Sequence, residues 1–131
     1  MSVTVSNGQT SAVTAGQTDS GDTVEPGGQL NVLSGGAISG TFDYGAVNIA
    51  AGGTATDTFV LNSVLLNVYG TAVGTVVYGS GLEIVYPGGT ASGTVVNVGA
   101  QVVEFGGTPA NHKPMIWAIR RWISWIPSAS K

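Results

Sequence analysis

The sequence contains no cysteine and very little charge, and each absence excludes a class of site. Without cysteine the chain forms no disulfide and offers no thiolate ligand to a metal ion. Charged residues make up 8% of the 131 residues, against about 25% in ordinary soluble domains. The single histidine, His112, lies near the C-terminus, so residues 1–111 cannot supply a Ser-His-Asp set. We therefore expect no enzyme, no metal site and no cofactor.

The few charges are divided unevenly along the chain. All seven acidic residues precede residue 105, and all four basic residues follow residue 112. An acidic body without lysine or arginine is a poor electrostatic partner for nucleic acid, so we expect none. It also lacks the basic residue that polysaccharide-cleaving enzymes combine with clustered aspartates. The acidic cluster of Asp19, Asp22 and Glu25 is interpreted as a solvated corner rather than a calcium site.

Leader and membrane-spanning patterns are missing as well. Repeat-like sequence follows Met1 directly, without a charged n-region or an apolar h-region, so we expect no signal peptide in this chain. No apolar run has the length needed to cross a bilayer.

Glycine, by contrast, is abundant and regularly spaced, with 21 residues in the chain. Gly-Gly pairs stand at 35–36, 52–53, 88–89 and 106–107, and a single glycine at position 70 fills the gap. The steps between these markers are 17 or 18 residues. A threonine followed by an apolar residue recurs at a similar interval. Two markers that share one period indicate a repeat architecture.

Each repeat contains two short runs rich in Val, Ile, Leu, Tyr and Thr, separated by glycine. This composition is typical of strands, and no helical stripe occurs before residue 110. The pattern predicts an all-β chain that folds as a parallel β-helix, a solenoid of five to six coils spaced about 4.8 Å apart. An antiparallel sandwich or barrel is the alternative, although it does not require the same residue type at each repeat position.

Equivalent residues of successive coils stack in a β-helix. We expect an interior column formed by Val24, Phe42, Phe59, Val76 and Val95. The threonines before them are expected to form an outward ladder: Thr23, Thr41, Thr58, Thr75 and Thr94. A second outward polar set is predicted at Asn31, Asn48, Asn67 and Asn97.

Residues 111–131 differ in composition from the repeat domain, residues 1–110, and form a basic tail rich in tryptophan. Asn111 and Pro114 suit the start of a helix and Pro127 its end, so the tail predicts a short amphipathic helix. The candidate residues for self-association or capping are Trp117, Arg120, Arg121, Trp122 and Trp125. Three interpretations stay open: a cap on the open end of the solenoid, a contact with another subunit or a lipid surface, or a foreign or frame-shifted end.

The repeats resemble those of AIDA-type self-associating autotransporter adhesins of Gram-negative bacteria. The resemblance is carried by GGQLNVLSGGA at 27–37, GGTASGTVV at 88–96 and GAQVVEFGG at 99–107, and it covers about residues 5–110. It implies a right-handed parallel β-helix, a cell-surface or secreted location in the parent protein, and a role in adhesion, aggregation or biofilm formation. It also implies heptose on surface Ser and Thr, with a glycan or a glycosyltransferase as partner.

The sequence therefore predicts a non-enzymatic structural or adhesive module that associates with itself as a homo-oligomer. The alternative is a carbohydrate-binding or glycan-bearing surface module. Membrane contact by the tail is a further open interpretation.

Overall fold

A computed structural model describes residues 2–61, 64–97, 99–103, 108–110, 113–114 and 120–122. These residues form twenty short strands, and three successive strands make one coil. Coil 1 contains β1 (Thr4–Val5), β2 (Thr10–Val13) and β3 (Thr18–Ser20). Coil 2 contains β4 (Thr23–Val24), β5 (Gln29–Val32) and β6 (Ala37–Ser39). Coil 3 contains β7 (Phe42–Asp43), β8 (Ala46–Ile49) and β9 (Thr54–Thr56).

The later coils repeat this order. Coil 4 contains β10 (Phe59–Val60), β11 (Leu65–Val68) and β12 (Thr71–Val73). Coil 5 contains β13 (Val76–Val77), β14 (Gly81–Val85) and β15 (Thr90–Ser92). Coil 6 contains β16 (Val95–Val96), β17 (Gly99–Val103) and β18 (Thr108–Ala110). Two strands of a seventh coil follow, β19 (Lys113–Pro114) and β20 (Arg120–Trp122).

Equivalent strands of successive coils pair in three sheets. Sheet A has the order β1-β4-β7-β10-β13-β16-β19, sheet B β2-β5-β8-β11-β14-β17-β20, and sheet C β3-β6-β9-β12-β15-β18. Every strand pair among the described residues is parallel. The predicted parallel β-solenoid is therefore confirmed, and the antiparallel sandwich or barrel is wrong. No helix among the described residues has the length and hydropathy needed to cross a bilayer.

The core is a set of stacked columns of buried aliphatic side chains between the three sheets. Sheet B supplies most of the largest of them, because strands β5, β8 and β11 each bury two side chains. The buried hydrophobic side chains are Val5, Val13, Val24, Leu30, Val32, Ile38, Val47, Ile49, Ala55, Val60, Leu66, Val68, Ala72, Val77, Val85, Ala91 and Val96.

The predicted interior column is wrong for four of its five members. Only Val24 is buried, and it stacks in register with Asp43, Val60, Val77 and Val96. The other four predicted residues share the outward column of sheet A with Thr23. They are Phe42, Phe59, Val76 and Val95. The outward threonine ladder is wrong as well, because Thr41, Thr58, Thr75 and Thr94 are buried.

The physical reason is that the coils differ in length. Thr23 pairs with Phe42, 19 residues later, whereas Phe42 pairs with Phe59, 17 residues later. Thr23 is therefore equivalent to Phe42 and not to Thr41. Side chains alternate between the two faces of a strand, so an alignment that is wrong by one residue exchanges inside and outside.

The two glycines of the pairs 35–36, 52–53 and 88–89 serve different purposes at the turn from sheet B to sheet C. The first glycine has a positive φ, and at Gly88, where φ is +87°, a Cβ would meet nothing within 4 Å. The second, as in Gly89, lies directly on the carbonyl of Val68 in the coil below, where a side chain would clash with backbone. The single Gly70 resembles the second glycine of a pair. A Cβ at this position would clash with the carbonyl oxygens of Ala50 and Gly53.

Five residues of the predicted tail helix are described, and all five are extended. Lys113–Pro114 pairs in register with Val95–Val96, and Arg120–Trp122 pairs with Gln101–Val103. Sheets A and B therefore continue past residue 110. The rest of the predicted helix, including Trp117 and Trp125, lies outside the described residues.

Candidate interaction surfaces

The three sheets present chemically different outer faces. Sheet C presents hydroxyl side chains, because outward positions of its strands are repeatedly Thr or Ser. Most of them are partly exposed. The outward hydroxyl residues in coils 2 to 5 are Ser39, Thr54, Thr56, Thr71, Thr90 and Ser92.

Sheet B presents a hydrogen-bonded asparagine ladder. Asn31, Asn48 and Asn67 occupy one outward column in successive coils. The Asn48 amide donates to Asn31 Oδ1 at 2.9 Å, and the Asn67 amide donates to Asn48 Oδ1 at 2.6 Å. Gln29 Nε2 also donates to Asn31 Oδ1, and the Tyr86 hydroxyl donates to Asn67 Oδ1. The outward prediction is confirmed for these three asparagines.

Asn97 belongs to a different column from the other asparagines. Its backbone N–H donates to the Val77 carbonyl at 2.9 Å, which places it directly after sheet A. The four asparagines therefore do not form one ladder.

Sheet A presents an aromatic and aliphatic face. The outward column contains Phe42 and Phe59, whose rings stack with centroids 5.1 Å apart and planes 13° apart. Tyr44, Leu61 and Tyr78 follow the strands of sheet A in coils 3 to 5, each bonded through its N–H to the coil below. Phe42 and Tyr78 are both 41% exposed. Exposed apolar side chains on coils 3 to 5 make this face a candidate interaction surface.

A groove of about 520 Å³ adjoins this face where sheet A turns into sheet B. The turn has two residues in coil 3 (44–45) but four in coil 2 (25–28) and four in coil 4 (61–64). The groove is lined by residues of the longer turn in coil 2, by residues of the short turn in coil 3 and by Val64 of coil 4. Its lining includes Pro26, Gln29, Tyr44, Ala46 and Val64.

The short turn depends on a buried carboxyl group. Asp43 replaces the valine of its inward column, and its Oδ1 accepts the Gly45 N–H at 3.0 Å. This aspartate-centred turn closes the chain in two residues. Burial raises the pKa of Asp43 from 3.8 to about 7, although the Gly45 hydrogen bond opposes the change. In the described part of the chain its second oxygen, Oδ2, has no hydrogen-bond partner.

A second buried carboxyl group lies in sheet B. Glu83 is fully buried, in register with Leu66 on one side and Gln101 on the other. Gln101 Nε2 donates to Glu83 Oε1 at 2.8 Å, and the Thr94 hydroxyl donates to the same oxygen at 3.0 Å. Burial raises the pKa of Glu83, and these two hydrogen bonds offset part of the rise.

The acidic cluster near the N-terminus is the predicted solvated corner only in part, because Glu25 is exposed and Asp22 is not. Asp22 is buried, and its Oδ1 accepts the Val3 N–H at 2.8 Å. Burial raises the pKa of Asp22, while the Val3 hydrogen bond acts in the opposite direction. Through this hydrogen bond Asp22 holds the first residues of coil 1 against coil 2, so its role is structural.

The buried carboxyl groups of the described residues are not gathered in one cluster. Among the described residues no three of His, Cys, Asp and Glu come together as ligands. The outer surfaces of residues 2–61 and 64–97 carry little charge. Only two charged side chains there, Glu25 and Asp57, are exposed.

The sequence reasoning missed the aromatic face and the buried carboxyl groups for one shared reason, the register. The three asparagines of the ladder contained a signal of the correct register. Aligning the coils on Asn31, Asn48 and Asn67 places Glu83 in the same inward column as Leu66. The candidate tail contacts, Trp117, Arg120, Arg121, Trp122 and Trp125, could not be compared in this way, since no side chain there is described.

Comparison with known proteins gives a likeness among solved structures. No protein-family model and no curated protein matches the chain. Among solved structures, the chain is similar to a hyper-glycosylated fragment of TibA, whose glycosylation TibC catalyses. The two share 28% sequence identity with a TM-score of 0.83 over 92% of this chain. The chain spans 48% of the length of that fragment, and it is therefore similar to about half of a glycosylated solenoid.

Proposed function

We propose that the chain is a non-enzymatic adhesive module, a segment of solenoid that associates with copies of itself at a cell surface. The observation that carries the proposal is the set of outer ladders, which repeat one chemistry from coil to coil and carry almost no charge. The likeness to the TibA fragment and the resemblance to AIDA-type repeats both support this assignment.

Repeated outer ladders suit self-association for two physical reasons. Low charge removes the repulsion that keeps copies of ordinary soluble domains apart. Identical contacts spaced at the coil interval add along the length of two aligned solenoids, so that individually weak contacts sum. The side chains of Asp22, Asp43 and Glu83 are buried, so a partner meets the outer faces of the described coils and not these carboxyl groups.

Self-association is tested by sedimentation of the full chain over a wide range of concentrations. We expect the weight-average mass to rise reversibly with concentration, because the contacts are weak. A chain that stays monomeric up to millimolar concentration would contradict the proposal. Turnover in a broad screen of polysaccharides would contradict its non-enzymatic part.

A second candidate function is that of a glycan-bearing surface module, and a specific observation favours it. The outer face of sheet C presents partly exposed hydroxyl groups in every coil from 2 to 5. The similar TibA fragment is hyper-glycosylated by TibC. We therefore propose a glycosyltransferase as partner and Ser or Thr as acceptor.

The glycan proposal predicts added mass on the chain produced in its native host. Intact-mass measurement should show increments of one heptose, and peptide mapping should place them on Ser or Thr. Replacing Thr54, Thr56 and Thr71 with valine should reduce the number of increments if sheet C carries them. An unmodified mass from the native host would contradict this candidate.

A further inference from the structure

We propose that Glu83 is a neutral acid in the folded chain and that its proton joins it to the Gln101 amide, so that the pair acts as a pH-sensitive latch between coils 5 and 6. The carboxyl group accepts one hydrogen bond from the amide and donates another to it, and loss of the proton releases the latch. The inference concerns the stacking of the coils and does not depend on the proposed self-association.

The two side chains meet inside the solenoid from neighbouring coils. Glu83 in β14 and Gln101 in β17 are register partners on adjacent parallel strands, and both are completely buried. Gln101 Nε2 donates to Glu83 Oε1 at 2.8 Å, and the Thr94 hydroxyl donates to the same oxygen at 3.0 Å. Both hydrogen bonds therefore go to one oxygen of the carboxyl group.

The second oxygen of the carboxyl group and the oxygen of the amide are left without a donor. Among the described residues, Glu83 Oε2 and Gln101 Oε1 are buried and have no hydrogen-bond partner. Buried acceptors without a donor are destabilising, because they have lost their hydrogen bonds to water. A carboxylate can only accept hydrogen bonds, whereas a carboxylic acid also has one O–H donor. One proton on Glu83 Oε2 therefore supplies the donor that Gln101 Oε1 lacks.

A carboxylic acid and a primary amide are complementary in shape. Each group is planar and presents a donor and an acceptor side by side, so that two hydrogen bonds between them close one ring. The hydrogen bond from Gln101 Nε2 to Glu83 Oε1 forms one side of this ring. The proton on Oε2 closes the other side.

The described surroundings of Glu83 favour the neutral acid. The strands in closest contact with β14 are β10, β11, β13 and β17. Besides Gln101, the described buried side chains of these strands are Val60, Leu66, Val68 and Val77, none of which titrates. The next charged residue in register is Arg120 of coil 7, which pairs with Gln101 and stands two coils from Glu83, about 9.6 Å at the strand spacing. Burial raises the pKa of Glu83, and the nearby donors offset only part of the rise.

Glu83 differs in this respect from the other carboxyl group buried at a strand position. Asp43 is in register with Val24 and Val60, whose side chains neither donate nor accept hydrogen bonds. Its carboxyl group instead closes a turn within coil 3 through the Gly45 N–H. Ionisation of Glu83 therefore acts directly on the contact between two coils, whereas ionisation of Asp43 acts on a turn.

The latch is closed at low pH and opens as the pH rises. Because the folded-state pKa of Glu83 is raised above the unfolded one, its contribution to stability is complete below the unfolded value and is lost as the pH rises through the folded value. Each coil of a solenoid contacts only its neighbours. Ionisation therefore weakens the interface between coils 5 and 6 first, and local opening there requires less free energy than unfolding of the whole chain.

Hydrogen exchange of the full chain tests the latch in an Asp43→Asn background, which removes the ionisation of the other group. The reporter is the Asn97 N–H, which bonds to the Val77 carbonyl across coils 5 and 6. The internal control is the Tyr69 N–H, which bonds to a carbonyl across coils 3 and 4. Between about pH 5 and about pH 8, protection relative to the unfolded chain should fall about tenfold at Asn97 and by less at Tyr69.

Two substitutions at Glu83 separate the neutral acid from a carboxylate. Glu83→Gln places an amide there, which can donate to Gln101 Oε1 and accept from Gln101 Nε2 at every pH. Protection at Asn97 should then no longer depend on pH and should exceed that of the parent about tenfold at high pH. The matched control is Glu83→Met, which has a similar length but cannot form the ring. It should lower protection at Asn97 throughout the pH range.

The protonation state is measured directly by the carboxyl carbon resonance of Glu83 in the chain labelled with ¹³C-glutamate. Loss of the signal in Glu83→Gln identifies it. The signal should titrate at a higher pH in the folded chain than in the chain unfolded by urea. Arg120→Gln should leave this titration unchanged, because the latch requires no cation.

Each contrary result removes a particular part of the inference. If Glu83→Gln lowers protection at Asn97 at neutral pH, or if Arg120→Gln moves the titration to higher pH, Glu83 is an ion in the folded chain and the acid–amide pair is wrong. If protection falls equally at Asn97 and Tyr69, ionisation acts on the whole chain and the local latch is wrong. None of these results bears on self-association, which sedimentation tests separately.

Discussion

Replacing Gly89 with alanine is expected to destabilise the fold by about 3–5 kcal/mol, the range of the most damaging single substitutions. The added Cβ would lie inside van der Waals contact of the Val68 carbonyl oxygen in the coil below. That oxygen accepts the Tyr86 N–H, so it cannot move without breaking a bond between coils. Thermal unfolding should show a melting temperature lower by about 10 °C or more.

The neighbouring Gly88 provides the matched control. A Cβ at Gly88 meets nothing within 4 Å, and only the positive φ of +87° opposes a side chain there. Gly88→Ala should therefore cost about 1–2 kcal/mol, the usual penalty for a left-handed residue. Equal losses in the two variants, or a larger loss at Gly88, would show that the coils are not stacked as described.

The second large effect expected is a loss of stability as the pH rises from about 4 to about 7. Burial raises the folded-state pKa of Asp43 from 3.8 to about 7. Below pH 4 the carboxyl is protonated in both states, so its full contribution to stability is present. Between pH 4 and 7 the unfolded chain ionises while the folded chain keeps its proton, which favours unfolding. The shift corresponds to about 4 kcal/mol at pH 7.

Asp43→Asn should remove most of this pH dependence. The amide has no charge to bury, and its oxygen can still accept the Gly45 N–H that closes the short turn. The free energy of unfolding of the variant should still fall somewhat as the pH rises, because burial also raises the pKa of Glu83 and of Asp22. Urea unfolding at intervals between pH 4 and pH 8 measures the slopes.

Glu25→Gln serves as the control for the pH series, because it removes an exposed carboxyl and leaves the buried ones in place. The slope produced by the buried groups should persist in that variant. A chain whose stability rises with pH, or an Asp43→Asn variant as pH-dependent as the original, would contradict the account.

The sequence predicted the architecture better than it predicted the faces. The Gly-Gly and threonine markers gave the repeat and the parallel stacking, because every coil needs its glycine at the same corner. They could not give the side of each residue, since paired residues are 19 apart in one step and 17 in the next, so that a constant period of 18 misaligns the coils by one residue. Phe42 and Phe59 were assigned to the same column correctly, but to the wrong side of the sheet.

The buried carboxyl groups show a different limit of sequence reasoning. Asp43 and Glu83 occupy inward positions that valine or leucine fills in neighbouring coils. An isolated acidic residue predicts a surface position, because acidic side chains are rarely buried. Only the register, together with the short turn at Gly45 and the buried partner Gln101, shows that these groups lie inside.

The central claim is that successive coils stack in parallel with the described register. Because the chain has no native cysteine, two introduced cysteines can test it directly. Thr54 and Thr71 are register partners on the outer face of sheet C, whereas Ala72 is buried. A bifunctional thiol reagent with a span of about 5 Å, the distance between paired strands, should join the cysteines of Thr54→Cys/Thr71→Cys rapidly in the folded chain. It should fail to join those of Thr54→Cys/Ala72→Cys. Cross-linking of the second pair, or of neither, would contradict the stacking on which the account depends.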